Sequence, residues 1–177
     1  SFTNLAAIAN ARMESGAGDL NTDFTSAAVS GSADAQGLAL NGQTAGDFST
    51  DAGIETLNIS SSSAAAASTL TSITATGVKT INVDADANFT VTNNLANAVT
   101  TVDASSSSAS VSVGMGTGNQ TVTGGTGNDT IRVDGSTVNT SDAIDGGAGT
   151  DKLQLTAATN VTSGTNGAVL VNFETLE

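Results

Sequence analysis

The sequence contains no cysteine, histidine, tryptophan, tyrosine or proline. Without cysteine there are no disulfide bonds and no thiolate metal sites. Without histidine there is no serine-protease-type triad, and the usual zinc sites are excluded. No apolar run approaches the length that spans a membrane. An extracellular protein of this composition must therefore be stabilised by stacking, by metal ions or by assembly.

Positive charge is almost absent as well. Four basic residues, Arg12, Lys79, Arg132 and Lys152, stand against 17 acidic ones, and the net charge is −13. This balance argues against nucleic acid and against insertion into or adsorption on anionic membranes. The length of 177 residues fits one domain.

Two nonapeptides share the pattern Gly-Gly-x-Gly-x-Asp-x-aliphatic-x, at residues 124–132 and 146–154, and a degenerate copy occupies residues 115–123. Three glycines in four positions allow a tight turn with positive φ and leave carbonyl oxygens uncovered. The Asp adds a carboxylate, a hard oxygen ligand of the kind that Ca²⁺ takes. The last three residues alternate polar and aliphatic, as in a short strand. Each nonapeptide therefore predicts one turn plus one strand, or half a coil.

The spacing of the sixth residue of each repeat assigns the turns to two edges. These residues are Gln120, Asp129, Asp142 and Asp151, and successive half-coils point to opposite edges. Asp129 and Asp151 then share one edge, about 4.8 Å apart, where two bare carboxylates repel by about 1 kcal/mol in water. A bound cation removes this repulsion, so we predict calcium at this edge. The edge of Gln120 and Asp142 has a neutral side chain and is expected to be a poor site.

The predicted ligands combine carboxylates with backbone carbonyls from the glycine turns. They are Gly124, Thr126, Gly127, Asp129, Gly146, Ala148, Gly149 and Asp151.

A second repeat precedes and follows the nonapeptides. Residues 54–59, 78–83 and 99–104 share a Thr in the third position and alternating aliphatic residues, and residues 173–177 repeat the start of the pattern. The steps of 24 and 21 residues match one coil of a β-solenoid. We predict an all-β fold, one right-handed parallel β-solenoid, with a calcium β-roll near residues 114–155.

The expected organisation is one module with four parts. Residues 1–52 form irregular N-terminal coils, residues 53–113 Thr-rich coils, residues 114–155 the β-roll and residues 156–177 a closing coil. Residues 5–13 are rich in Ala and are expected to form a short helix or a loop. The chain starts abruptly, and residues 173–177 stop in mid-pattern without a cap, so we expect a piece of a longer protein whose end coils continue into neighbouring coils.

The nonapeptides resemble the calcium-binding repeats of the repeats-in-toxin (RTX) family. Together with the Thr-rich coils, they resemble bacterial surface-layer (S-layer) proteins that contain such segments. The resemblance implies type I secretion, Ca²⁺ as cofactor, folding outside the cell and self-assembly with other copies into a cell-surface lattice.

Two alternatives remain open. One is a repeat module of a large calcium-dependent RTX adhesin or biofilm-matrix protein. The other is a non-catalytic solenoid domain of a secreted polysaccharide-active enzyme. We predict no enzymatic activity, and cell-surface polysaccharide is a further partner considered. Residues 84–88 have the opening spacing of an EF-hand loop but not its later ligands, and are expected to form a solvated turn.

Overall fold

The computed structural model describes residues 1–62, 64–134, 136–157 and 169–177. These residues form eighteen strands and no α-helix. The strands are Phe2–Leu5 (β1), Ala11–Gly16 (β2), Leu20–Phe24 (β3), Ala35–Gln43 (β4), Asp47–Ser49 (β5), Thr56–Ser61 (β6), Ser68–Leu70 (β7), Ser72–Thr74 (β8), Thr80–Ala85 (β9), Phe89–Asn94 (β10), Thr101–Asp103 (β11), Val111–Gly114 (β12), Thr121–Thr123 (β13), Thr130–Asp134 (β14), Ala143–Asp145 (β15), Lys152–Ala157 (β16), Leu170–Val171 (β17) and Thr175–Leu176 (β18).

The strands stack into three parallel sheets wound around one axis. The longest has the order β17-β15-β13-β11-β9-β6-β4-β2, the second β18-β16-β14-β12-β10-β7 and the third β1-β3-β5-β8. Strands adjacent in a sheet belong to successive coils, so the chain makes about seven turns. The prediction of an all-β parallel solenoid is confirmed.

The register between coils is regular although the coils differ in length. Thr56 pairs with Thr80, and Thr80 with Thr101, which confirms the predicted steps of 24 and 21 residues. The coil from Thr101 to Thr121 is the shortest of those in the longest sheet, and its strands β11 and β12 are shorter than β9 and β10 of the coil before it. The pairing is therefore kept although the lengths of the strands vary.

The core is a set of single-file columns, because a strand residue in one coil lies directly above its partner in the next. Alternate residues of the strands point inward and are almost fully buried. One column of the longest sheet consists of Leu57, Ile81, Val102, Val122 and Ile144. Because aliphatic residues recur at these positions, each side chain of the column packs on a side chain of similar kind in the next coil.

Residues 1–52, expected to be irregular, contain β1 to β5, in register with later coils. Of the two forms expected of residues 5–13, the short helix is wrong, and residues 6–10 form a loop between β1 and β2. Residue 5 ends β1, and Ala11–Gly16 is β2, which pairs with β4 from Ala11 against Leu38 onward. Pairing with a long neighbouring strand outweighs the high helix propensity of Ala, because tertiary context overrides the small free energies of intrinsic propensity.

Much of the predicted closing coil, residues 158–168, lies outside the described residues. In its described part, β18 contains the Thr-Leu pair that matches Thr56 and Leu57 of β6. β18 nevertheless belongs to the second sheet, where it pairs with β16, and not to the longest sheet that contains β6.

The outer faces of the first and last coils present apolar side chains to solvent. Phe2 is 60% exposed and Leu176 is 69% exposed. Searched over the described residues, the chain has no helix that is long and apolar enough to cross a membrane.

Candidate metal centre

The two complete nonapeptides occupy successive coils on the same edge of the solenoid. Thr130 pairs with Lys152, which places the preceding residues, Asp129 and Asp151, one above the other. On the other edge, Thr121 pairs with Ala143, and Gln120 and Asp142 are stacked in the same way. The structure therefore brings the four residues together in the two pairs expected from their spacing.

Asp129 and Asp151 continue a column that is apolar in the two preceding coils. Phe89 pairs with Val111, and the register of the next two coils places Asp129 and then Asp151 below them. Both aspartates are only 1% exposed. The column thus changes from apolar to acidic without leaving the interior, and each carboxylate must find partners there.

The backbone amides of this column supply those partners. Val111 N donates to Asp129 Oδ1, Asp129 N donates to Asp151 Oδ1, and Asp151 N donates to Glu174 Oε2, each over 2.7 Å. Each carboxylate thus accepts the amide of the coil before it. We call Asp129, Asp151 and Glu174 the carboxylate ladder; hydrogen bonds of this kind to an ionised acceptor are stronger than neutral ones.

The second oxygens of the two buried aspartates differ. Asp129 Oδ2 accepts a 2.7 Å hydrogen bond from Gly125 N, within its own turn. Asp151 Oδ2 is buried and has no hydrogen-bond partner among the described residues. A buried, unpartnered carboxylate oxygen is costly unless a proton or a cation satisfies it.

The glycine turns lie too close to neighbouring backbone for a side chain. Gly147 has φ +90°, and a β-carbon on it would lie 2.5 Å from Gly125 O; one on Gly124 would lie 2.0 Å from Gly146 O. Stacked turns are joined by Ala148 N, which donates to Gly125 O over 2.9 Å.

Other carbonyls of these turns are available to a ligand. Within the described ranges, the carbonyl oxygens of Gly124, Thr126 and Gly127 accept no backbone hydrogen bond. The turns therefore offer the mixture of backbone oxygens and carboxylates that suits Ca²⁺.

Burial raises the pKa of both aspartates. For Asp129, burial is the main cause, the amides of Val111 and Gly125 oppose it, and the charge of Asp151 adds to it. For Asp151, burial again dominates; the Asp129 amide opposes it, and the charges of Glu174 and Asp145 raise the pKa further. The ionised form of Asp151 is therefore disfavoured where it stands, and a cation would favour it.

The opposite edge, formed by Gln120 and Asp142, has a different set of hydrogen bonds. Asp142 accepts hydrogen bonds from Gln120 N through Oδ1 and from Asn139 N through Oδ2, both over 2.8 Å. Gln120 Nε2 donates to Val99 O over 2.7 Å, and Gln120 Oε1 has no partner among the described residues. This edge has one carboxylate where the other has two, and both oxygens of Asp142 already accept hydrogen bonds, so it is the poorer site for a cation.

No group of three or more His, Cys, Asp or Glu side chains is arranged to hold a metal ion in the described ranges. A site here must therefore rest on one or two carboxylates and on backbone carbonyls. The role of Glu174 is not among those predicted from the sequence. A signal was present, because Glu55 stands before the matching Thr-Leu pair and accepts the amide of Asp34 over 2.8 Å in the same way.

Comparison with protein-family models, with curated proteins and with solved structures finds no match to this chain.

Proposed function

We propose that the protein is a calcium-binding structural module of a secreted surface-layer protein. The observation that carries the proposal is the buried oxygen of Asp151, which has no partner among the described residues and lies on the same edge as the two glycine turns. The choice of calcium and of a surface-layer protein comes from the resemblance of the nonapeptides to the RTX repeats of such proteins.

Calcium bound in these turns supplies positive charge to a column that holds two buried carboxylates. Asp151, whose Oδ2 has no partner among the described residues, is the carboxylate ligand that the geometry supports, and the carbonyls of the turns at residues 124–127 and 146–149 complete the set. An ion that binds the folded chain only also stabilises it by mass action. The carboxylate ladder would then be strengthened where the apolar column ends.

The charge of the chain supports assembly that depends on a divalent cation. With a net charge of −13, copies of the module repel one another at low ionic strength. Cations that neutralise part of this charge favour contact between copies. A secreted lattice made from such modules would therefore form in calcium and dissolve in chelator.

The test has two stages. Circular dichroism and thermal melting, with calcium and with chelator, should show a higher melting temperature in calcium; identical melts would overturn the calcium assignment. Electron microscopy of the calcium form should then show ordered two-dimensional arrays. Long fibres or cell aggregation without arrays would instead identify the adhesin alternative.

A further inference from the structure

The two nonapeptide turns make different hydrogen bonds at the same position. In the first, Gly125 N donates to Asp129 Oδ2 over 2.7 Å. In the second, the equivalent amide, Gly147 N, donates over 2.9 Å to Oδ1 of Asp145. Asp145 occupies the position that Thr123 has one coil earlier. The change from Thr123 to Asp145 in successive coils thus accompanies a change of acceptor, from Asp129 in the first turn to Asp145 in the second.

This exchange explains why Asp151 has a free oxygen. The amide that would satisfy Asp151 Oδ2 is held by Asp145, which also accepts Asn172 Nδ2 over 2.7 Å. Asp151 is 1% exposed, and Asp145 is half-buried. Two carboxylates therefore flank the turn at residues 146–149, one of them buried and incompletely hydrogen-bonded.

We infer that the calcium site is asymmetric: Asp151 and Asp145 are its carboxylates, and Asp129 is a structural residue that holds two backbone amides. The inference rests on the proposed function and refines it. Both oxygens of Asp129 accept short hydrogen bonds, from Val111 N and Gly125 N. A cation at Asp129 must compete with these bonds, whereas a cation at Asp151 Oδ2 replaces none.

Asp103 provides a matched control for Asp145. It lies in the same outward row, two coils earlier, since Asp103 pairs with Thr123 and Thr123 with Asp145. It also makes the same local bond, accepting Ser105 N over 3.0 Å as Asp145 accepts Gly147 N. In its coil, the position that corresponds to Asp151 is taken by Val111, which carries no charge.

The experiment is calorimetric titration of the full chain with calcium chloride, for the unsubstituted protein and four variants. Asp151→Asn should abolish binding. Asp145→Asn keeps an oxygen for Gly147 N and removes only the charge, so it should weaken binding about tenfold. Asp103→Asn should leave affinity unchanged. Asp129→Asn should lower the melting temperature and leave affinity within about threefold, since the residue acts on folding rather than on the ion.

The outcomes separate this inference from the proposed function. If the unsubstituted chain binds no calcium, the proposed function fails. If it binds calcium but Asp145→Asn and Asp103→Asn behave alike, or if Asp129→Asn loses calcium as Asp151→Asn does, the asymmetric site is wrong and the function stands. Should Asp129→Asn not fold, the comparison of Asp145→Asn with Asp103→Asn decides, because both positions face outward on the longest sheet.

Discussion

The backbone amide of Asp129 donates a 2.7 Å hydrogen bond to Oδ1 of Asp151, one coil further along the solenoid. The two aspartates that the nonapeptide pattern marks are thus joined directly through protein atoms. Their stacking does not need an ion to hold it. A bound ion would add interactions only with oxygens that accept no hydrogen bond from the backbone, such as Asp151 Oδ2.

Asp151→Asn should raise the stability of the calcium-free protein. The asparagine keeps Oδ1 for the Asp129 amide and removes a buried charge. Relief of one unpartnered buried oxygen is worth about 1–3 kcal/mol. Urea unfolding in chelator should show a higher midpoint than the parent chain, and calcium should shift that midpoint no further. A lower midpoint in chelator would contradict the burial argument.

Asp129→Ala should destabilise the protein with and without calcium. The change leaves the buried amides of Val111 and Gly125 without their acceptor. Losing partners for two buried donors costs about 2–5 kcal/mol. Urea unfolding should show the loss in both buffers. Asp84→Ala removes an exposed carboxylate and serves as the control, with a change below about 0.5 kcal/mol.

Acidification should stabilise the calcium-free form. Burial raises the folded-state pKa of Asp151 and of Asp129 above the unfolded value, so ionisation opposes folding at neutral pH. As the pH falls through the folded pKa toward the ordinary range of aspartate, protonation removes this cost. The charges of Glu174 and Asp145 near Asp151 act in the same direction.

Melting temperatures in calcium-free buffer at successive pH values measure this effect. The rise on acidification should be smaller in Asp151→Asn, which cannot take up that proton. An equal rise in the parent chain and the variant would assign the effect to general charge repulsion instead.

Gly147→Ala should be strongly destabilising, and Gly18→Ala should not. Gly147 has φ +90°, and a β-carbon added there would lie only 2.5 Å from Gly125 O, whereas a β-carbon on Gly18 meets nothing within 4 Å. The left-handed conformation alone costs an alanine about 1–2 kcal/mol, and the contact with backbone adds to it. Thermal melting of both variants checks the difference; equal melting temperatures would show that the turn can relax.

The solenoid and its register could be predicted because their cause is repeated in the sequence. Aliphatic residues at steps of 24 and 21 residues mark one inward column. The steps of 9, 13 and 9 residues from Gln120 to Asp151 assign Asp129 and Asp151 to one edge. Each of these is a local pattern whose meaning does not change from coil to coil.

Other features depend on contacts that no local pattern contains. The pattern Glu-Thr-Leu fits a strand of either sheet, so the placement of Thr175–Leu176 in the second sheet could not be inferred from it. The hydrogen bond from Gly147 N to Asp145 depends on whether the carboxylate of Asp145 or that of Asp151 has the better geometry for accepting this N–H. The Ala-rich start was ambiguous because Ala favours a helix locally, whereas the strand at Ala11–Gly16 depends on pairing with the distant β4.

Hydrogen bonds between coils run along the solenoid axis, so tension along that axis loads the rungs in series. The force that the molecule withstands is then set by the weakest interface between two adjacent coils, which we call a rung. β6 and β9 share six residue pairs, whereas among the described residues β15 with β17, and β16 with β18, share two pairs each. Pulled from its ends, the module should open at this last rung, where the Asp151 amide bound to Glu174 adds a side-chain tie across the gap.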